Sequence, residues 1–412
     1  MSLKDKFLEK SNSYRYYKDN YSILKNDLKD KDRLISDYEK LIASFEKRFD
    51  KSDNLNNDIK DLNIAYVLNG FPIHSETFIV NEVKWLTENG FNIVVFANST
   101  SFKSIDLDFS VEIRNFADIM ELESLLVDYD IDFVHTHFVY PIGTRFTWPV
   151  CERLGIPFTV FTHAYDIFRK DNDKKNRIDE ISRSDLCKAI FTLSEFHKNY
   201  LLERGVCEEK IVITKQATSY ELSDIKRKDE KIRNVVSVSR FVEKKGLDVL
   251  IDAAKLLEDE DFIFEIYGFG DLEDDLQKQI DDLKCTNISI RGELKPDEVI
   301  GKLNESDLLA SPCKISENGD MDGFPTVIFE AMACGLPYVT TSVSAIPEIV
   351  RDNVNGFITD PNDPEMFAEK IREISQLSPD ELFEIRKNAQ EDVKSISSVD
   401  KTMNKFINTI KS

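Results

Sequence analysis

The chain has 412 residues, 32% of them charged, and a formal net charge of −22. That balance excludes nucleic acid as a partner, because an acidic surface repels phosphates, and it gives no electrostatic help toward anionic lipid. No apolar run approaches membrane-spanning length, the opening MSLKDKFLEK lacks a signal peptide's apolar core, and six scattered cysteines form no C-x-x-C pair or disulfide framework. A soluble, cytoplasmic protein is expected, at most in peripheral contact with the inner face of the cell membrane.

Residues 1–60 read differently from the rest. Tyr14, Tyr17, Tyr21, Leu24, Leu28, Lys31, Ile35, Tyr38, Ile42, Phe45 and Phe49 recur at alternating spacings of three and four. Over about five heptads this predicts a coiled coil roughly 50 Å long, and a homo-oligomer assembled through residues 14–49. A single helix packed on the body would use the same stripe. Lys31 interrupts the seam and could set its register. The Asn/Asp-rich stretch from Ser52 to Asp58 is a predicted linker.

From Asp61 apolar strands alternate with amphipathic helices, the pattern of a parallel sheet wrapped by crossovers. Strands are expected at Leu62–Leu68, Asn92–Ala97, Asp132–Phe138, Phe158–Thr162, Ala189–Leu193 and Lys210–Thr214. Ser75 is the expected cap of a helix that Gly90 closes. These elements make one doubly wound domain over 61–222. Its ligands should bind at the carboxyl ends of the strands, where Gly70, His137 and His163 lie. The charged stretch SDIKRKDEKIR leads to a second alternation over 223–395, with strands beginning near Val235, Phe262, Ile288 and Leu308. Residues 396–412 should end the chain as a helix.

The most informative stretch runs from Glu317 to Val350. Thr326 to Ala333 is apolar on nearly every side and should be a buried helix, with Pro325 suited to its first position, Gly335 to its end, and Pro337 barring continuation. Glu330 is its only charge. A carboxylate there must be paired or hydrogen-bonded, either to backbone or to a ligand. Asp322 and Gly323 precede the helix, whose free N–H groups and positive dipole end suit an anion. Two carboxylates around a phosphate seat suggest a sugar nucleotide.

Asp322-x7-Glu330, followed by AMACGLP, PEIV and NGF, resembles the E-x7-E signature of family 4 retaining glycosyltransferases of the GT-B fold; the first acidic position, usually Glu, is Asp322 here. The resemblance covers about residues 61–395 and implies two Rossmann-like domains facing a cleft, with a C-terminal tail that crosses back to the first domain. SRFVEKKGLDVLI resembles the family's R-x4-K-G segment, which implies Arg240 and Lys245 as the grip on the donor diphosphate, with Lys244 a solvated neighbour. Fixed cations there would stabilise charge that develops on the leaving group. FTHAYDIF resembles H-A-x-D-I, which implies that His163 contacts the transferred sugar and that Asp166 orients the loop or touches the acceptor. In H-T-H, His135 and His137 share one strand face. A zinc pair there lacks a visible third ligand, and the family's H-x-H-F segment implies instead that one of them lines the acceptor cleft.

By the same resemblance Asp322 holds hydroxyls of the donor sugar and Glu330 the ribose. The stretch Gly323, Phe324, Pro325 and Thr326 would meet phosphate and sugar through its backbone N–H groups, Pro325 having none, and the turn at Gly268 would serve the nucleotide side. Asp322→Asn is then expected to lower turnover with little change in folding stability. ITKQATSYEL departs from the family's Gly-containing turn and leaves contacts near the acceptor or hinge open. The implied activity is metal- and cofactor-independent transfer of a hexose, with retention, from UDP- or GDP-hexose to a cell-surface glycan or lipid-linked acceptor. FPIHSETFI is similar to members that build exopolysaccharide or lipopolysaccharide. A non-catalytic scaffold on a degenerate transferase body, and a sugar-nucleotide epimerase of the same fold, are the alternatives.

Overall fold

The computed structural model describes residues 59–411 except 74, 75, 99–104, 174 and 226–230, together with 18–21, 39, 40, 42 and 43. Most of the predicted seam, the linker and the Ser75 cap lie outside the described residues. The described N-terminal pieces are helical, and Tyr21 Oη donates to Glu39 Oε1 at 2.7 Å. Residues 18 apart on one straight helix stand about 27 Å apart, so these two pieces do not belong to one such helix.

Two parallel sheets carry the body. The first contains β1 (Asn63–Leu68), β2 (Asn92–Ala97), β3 (Glu112–Asn115), β4 (Phe133–His137), β5 (Phe158–Phe161), β6 (Cys187–Thr192) and β7 (Ile211–Ile213), in the order β3-β2-β1-β4-β5-β6-β7. The second contains β8 (Asn234–Val238), β9 (Ile263–Tyr267), β10 (Ile288–Gly292), β11 (Leu308–Ser311), β12 (Tyr338–Thr341) and β13 (Phe357–Thr359), in the order β10-β9-β8-β11-β12-β13. Strand order reverses between β1 and β4 and between β8 and β11, and a crevice opens at such switch points.

The side-chain period of two builds both faces of each sheet. On β1, Ile64, Tyr66 and Leu68 face the helix Thr77–Glu88, while Ala65 and Val67 join the core on the other side. On β8, Val235 packs beneath the helix Leu247–Leu256, and Val236 joins the cluster that contains the helix Thr326–Cys334. That last helix begins at Thr326, as the sequence suggests, but Pro325 is its cap and not its first helical residue. Pro325 is extended (φ −63°, ψ 121°) and precedes the first helical residue. Gly335 ends it in the left-handed region at φ +60°, where glycine bears no Cβ penalty.

The tail helix Val399–Lys411 packs on the first domain. Trp85 Nε1 donates to Asp400 Oδ1 at 2.6 Å, Thr402 Oγ1 to the Lys215 carbonyl at 3.1 Å, and Phe406 meets the His135 ring at 4.8 Å between centroids. Met403, Phe406 and Ile407 are buried there; full burial of such a side chain contributes roughly 1.5–3 kcal/mol. Among the described residues no helix is long and apolar enough to cross a membrane.

Candidate active site

Two loops of the second domain meet at the β8–β11 crevice. Arg240 follows β8 and is exposed, and Lys244 and Lys245 end a single 3₁₀ turn, Glu243–Lys245. Gly246 closes the turn at φ +64°, and a Cβ there would stand 1.9 Å from the Pro312 carbonyl oxygen. The second loop leads to the buried helix and carries Asp322.

Asp322 is 9% exposed and lies between the two lysines. Lys245 Nζ donates to Oδ2, and Lys244 Nζ lies 3.3 Å from Oδ1 while reaching Asp320 Oδ1 at 3.0 Å. Lys244 is therefore not a solvated neighbour: it is buried and supports Asp322. Burial alone would raise the Asp322 pKa, but the two ammonium groups outweigh it and hold the carboxyl well below the usual carboxylate range. Lys245 is raised in turn, its own desolvation being outweighed by Asp322. Arg240 lies near enough to Lys245 to repel it, an arrangement that favours an anion between them.

Beyond Asp322 the N–H groups of Gly323, Phe324 and Thr326 have no acceptor among the described residues; Pro325 offers none. Glu330 sits one face further along the helix. It is half-buried and makes no hydrogen bond or ion pair among the described residues, so the backbone tie is absent. Burial pushes its carboxyl up to about 7, with Lys245 pulling the other way. Gly268 takes φ +148°, and a Cβ there would lie 1.8 Å from the Ser239 carbonyl oxygen. Close backbone packing against the strand end that carries Arg240 thus explains this glycine.

In the first domain Gly70 is buried just beyond β1, and His137 and His163 lie at the ends of β4 and β5. Asp166 is fully buried. Its Oδ1 takes the His163 N–H at 2.7 Å and its Oδ2 the Val139 N–H, so it orients the loop and does not face an acceptor. His163 Nε2 is 3.0 Å from His137 Nδ1, and His137 Nε2 is 3.0 Å from Glu82 Oε2. Burial holds the His135 and His137 rings neutral, with pKa values lowered to about 3, and lowers His163 well below its usual value. Glu82 is raised to about 7, burial outweighing His135 and Tyr66.

Glu82 is the residue that sequence reasoning missed. The helix buries Phe78, Ile79, Val83 and Leu86, and Glu82 shares that stripe. A charge on the apolar face was the available signal. It also supplies the third member of a group, Glu82, His135 and His137, whose ligand atoms lie within 4.8 Å of one another and could hold a metal ion.

The domains touch around this crevice. Glu348 accepts the Glu195 and Phe196 N–H groups at 3.2 and 2.8 Å, at the start of the helix Glu195–Glu203, and Lys170 N donates to the Asn318 carbonyl at 2.8 Å. His197, buried with neither ring nitrogen hydrogen-bonded, abuts Gly323, where a Cβ would lie 2.8 Å from His197 Cε1. Lys215, in the departing ITKQATSYEL stretch, donates to the Leu193 carbonyl and stands 4.3 Å over the Phe324 ring.

Residues 75–215 match the family model described as Glycosyltransferase Family 4, and residues 219–392 that described as glycosyl transferases group 1. The chain belongs to glycosyltransferase family 4 and has the GT-B fold. It is 33% identical over 230 residues to the amylovoran biosynthesis glycosyltransferase AmsK of Erwinia amylovora, covering 54% of this chain and 56% of that one. It is 32% identical over 210 residues to the putative colanic acid biosynthesis glycosyltransferase WcaL of Escherichia coli K12, covering 50% of this chain and 52% of that one. The matched part thus spans about half the length of these curated relatives. Among solved structures, Anabaena HepE in complex with UDP-glucose superposes with a TM-score of 0.69 at 17% identity, covering 84% of this chain and 99% of that one. This likeness is one of fold.

Proposed function

We propose that this family 4 member transfers a hexose, with retention and without a metal, from a UDP- or GDP-hexose to a glycan or lipid-linked acceptor of a cell-surface polysaccharide. The observation that carries the reading is Glu330: a lone carboxylate on a buried helix, without a hydrogen bond, beside free N–H groups and a cationic pair. A ribose and a diphosphate complete that set. The relatives named for amylovoran and colanic acid biosynthesis support the polysaccharide. Those named as GDP-mannose-dependent and the HepE complex with UDP-glucose keep both nucleotides in play.

In this reading Asp322, kept ionised by Lys244 and Lys245, accepts hydrogen bonds from sugar hydroxyls, and Glu330 accepts them from the ribose. An ammonium has three donors, so Lys245 holds Asp322 and a phosphate oxygen together. Arg240 offers its fork to the other phosphate. As the glycosidic bond lengthens, negative charge gathers on the diphosphate, and these cations stabilise the transition state more than the ground state. The acceptor hydroxyl attacks the face that the diphosphate is leaving, and the departing phosphate oxygen takes its proton. The new bond therefore keeps the configuration of the old one.

A thermal-shift panel of UDP-, GDP- and ADP-hexoses, followed by analysis of products, tests the reading. The matching donor at a hundred times its dissociation constant should add about 2.7 kcal/mol of stability. It should also release nucleoside diphosphate slowly to water. Stabilisation without any cleavage would indicate a scaffold, and interconversion of the free donor an epimerase.

A further inference from the structure

Three donor atoms converge beneath the helix Thr77–Glu88, in the core of the first domain. His135 and His137 stand two residues apart on β4, on one face of the strand, and their Nε2 atoms lie 3.3 Å from one another. Glu82 comes to them from the helix. Its Oε2 is 3.0 Å from His137 Nε2 and 3.8 Å from His135 Nε2. The side chains of Glu82, His135 and His137 are 3, 1 and 0% exposed, so water does not separate them.

Hydrogen bonds account for only part of this triangle. A proton on His137 Nε2 serves Glu82 Oε2, but His135 Nε2 must then share that same proton across 3.3 Å, being too far from Oε2 for a bond of its own. Glu82 Oε1 also remains buried with no hydrogen-bond partner among the described residues. A metal ion accounts for all of it. Three atoms at these separations share a centre about 2.0 Å from each, the length of a zinc bond to imidazole nitrogen or carboxylate oxygen.

The outer contacts are those that ligating side chains keep. His135 Nδ1 is 2.7 Å from Thr159 Oγ1, and His137 Nδ1 is 3.0 Å from His163 Nε2; each partner atom is able to accept an N–H. The Tyr66 hydroxyl donates to Glu82 Oε2 at 3.1 Å and orients the carboxylate.

We propose that Glu82, His135 and His137 hold one zinc ion, with Glu82 Oε1 as the fourth donor atom. Two imidazoles and a carboxylate suit zinc, and a closed, buried ligand set marks a structural site. The ion ties the helix Thr77–Glu88 to β4, next to Phe406 of the tail helix, whose ring meets that of His135. None of its ligands is assigned to the donor. The ion therefore takes no part in the transfer chemistry proposed above, and its presence does not depend on that reading. Enclosed in this way, it leaves only when the domain opens, and a chelator in native buffer does not draw it out.

The test is metal analysis and zinc K-edge absorption of the full chain, purified without an affinity tag. The expected result is about one zinc per chain, with nitrogen and oxygen neighbours at about 2.0 Å and no sulfur. Glu82→Gln and His135→Gln should each retain less than about a tenth of that zinc after dialysis against a chelator that leaves the wild type loaded. Wild type unfolded in guanidinium chloride with chelator, then refolded, should melt at a higher temperature when zinc is returned; Glu82→Gln should show no such rise. A chain without zinc both as purified and after refolding with the ion, another metal in its place, sulfur among the neighbours, or full zinc content in both variants would overturn the proposal. If neither variant folds, the absorption spectrum and the refolding of the wild type still decide it.

Discussion

Replacing Asp322 by Asn removes one negative charge from a buried cluster of two carboxylates and two ammonium groups. The side chains of Asp322, Lys244 and Lys245 are 11, 7 and 14% exposed, so water compensates little. Lys244 keeps Asp320 at 3.0 Å, and Lys245 is left without an anion. Breaking a buried pair on one side costs about 3–5 kcal/mol; the residual exposure and the possibility that Lys245 swings outward favour the lower end. The structure thus corrects the expectation that folding stability would change little. At about 3 kcal/mol, the melting transition of the second domain should fall by roughly 6–12 °C.

The pH window follows from the two shifts. Asp322 is depressed below its ordinary 3.8, so its contribution is present above that value and is lost as pH falls through the folded pKa. Lys245 is raised above its ordinary 10.5, so its share is present below that value and is lost as pH rises through the folded pKa. Between these limits the deficit of the variant should be flat. Turnover should drop at least about tenfold, or 1.4 kcal/mol of transition-state stabilisation, because a neutral amide binds sugar hydroxyls less strongly. Calorimetry of wild type, Asp322→Asn and Asp322→Asn/Lys245→Met gives the decisive comparison. The double variant removes both charges and should recover most of the lost stability without recovering activity. A single variant that melts within a degree or two of wild type, or a double variant no more stable than the single, would refute the argument.

Glu330→Gln should weaken nucleoside diphosphate binding with a smaller effect on turnover, since ribose contacts are shared by ground and transition states. Calorimetric titration should find wild-type affinity rising with pH through about 7, as the Glu330 carboxyl ionises, and the Gln variant without that rise. Lys245→Ala should lower turnover by a factor of about 100 or more, while a chelator leaves wild-type activity intact; complete inhibition that zinc reverses would point to the Glu82, His135 and His137 group. Deleting residues 1–55 should leave a folded transferase body of lower oligomeric state, and light scattering that finds an unchanged number of chains per particle would sink the heptad reading.

Ile64–Leu68 and Leu308–Ser311 were readable from sequence because strands buried on both faces give continuous apolar runs, whereas β12, YVTT, is as fully buried but ends in two threonines and was not expected. The edge strand β3, EIRN, escaped because its residues are exposed or half-exposed and carry no periodic signal. The helical stretch after β4, broken by the extended Tyr140 (φ −127°, ψ 132°), escaped for another reason: Pro141 and Gly143 are turn-forming residues. In the site, Asp322 and Glu330 were legible because charges beside an apolar helix are costly without a purpose. Their surroundings were not. Lys244 looks like surface in a run of charges, and only the fold brings Asp320 and Asp322 to it from more than seventy residues away. The Glu82–His137–His163 chain joins a helix to two strands, and no linear spacing encodes such a meeting.

The tail helix makes the first domain discontinuous along the chain. A fragment ending near residue 222 would leave open the seat that Met403, Phe406 and Ile407 fill, and would wet the His135 ring beneath Phe406. Excising the first domain for study therefore calls for a two-piece design, with residues 396–411 supplied in trans or joined ahead of residue 59 by a permuted connection. The same arrangement carries the chain between the domains twice, once after residue 222 and once near residue 398. Opening of the cleft must bend both crossings together, so a hinge engineered in one of them alone stays tethered by the other.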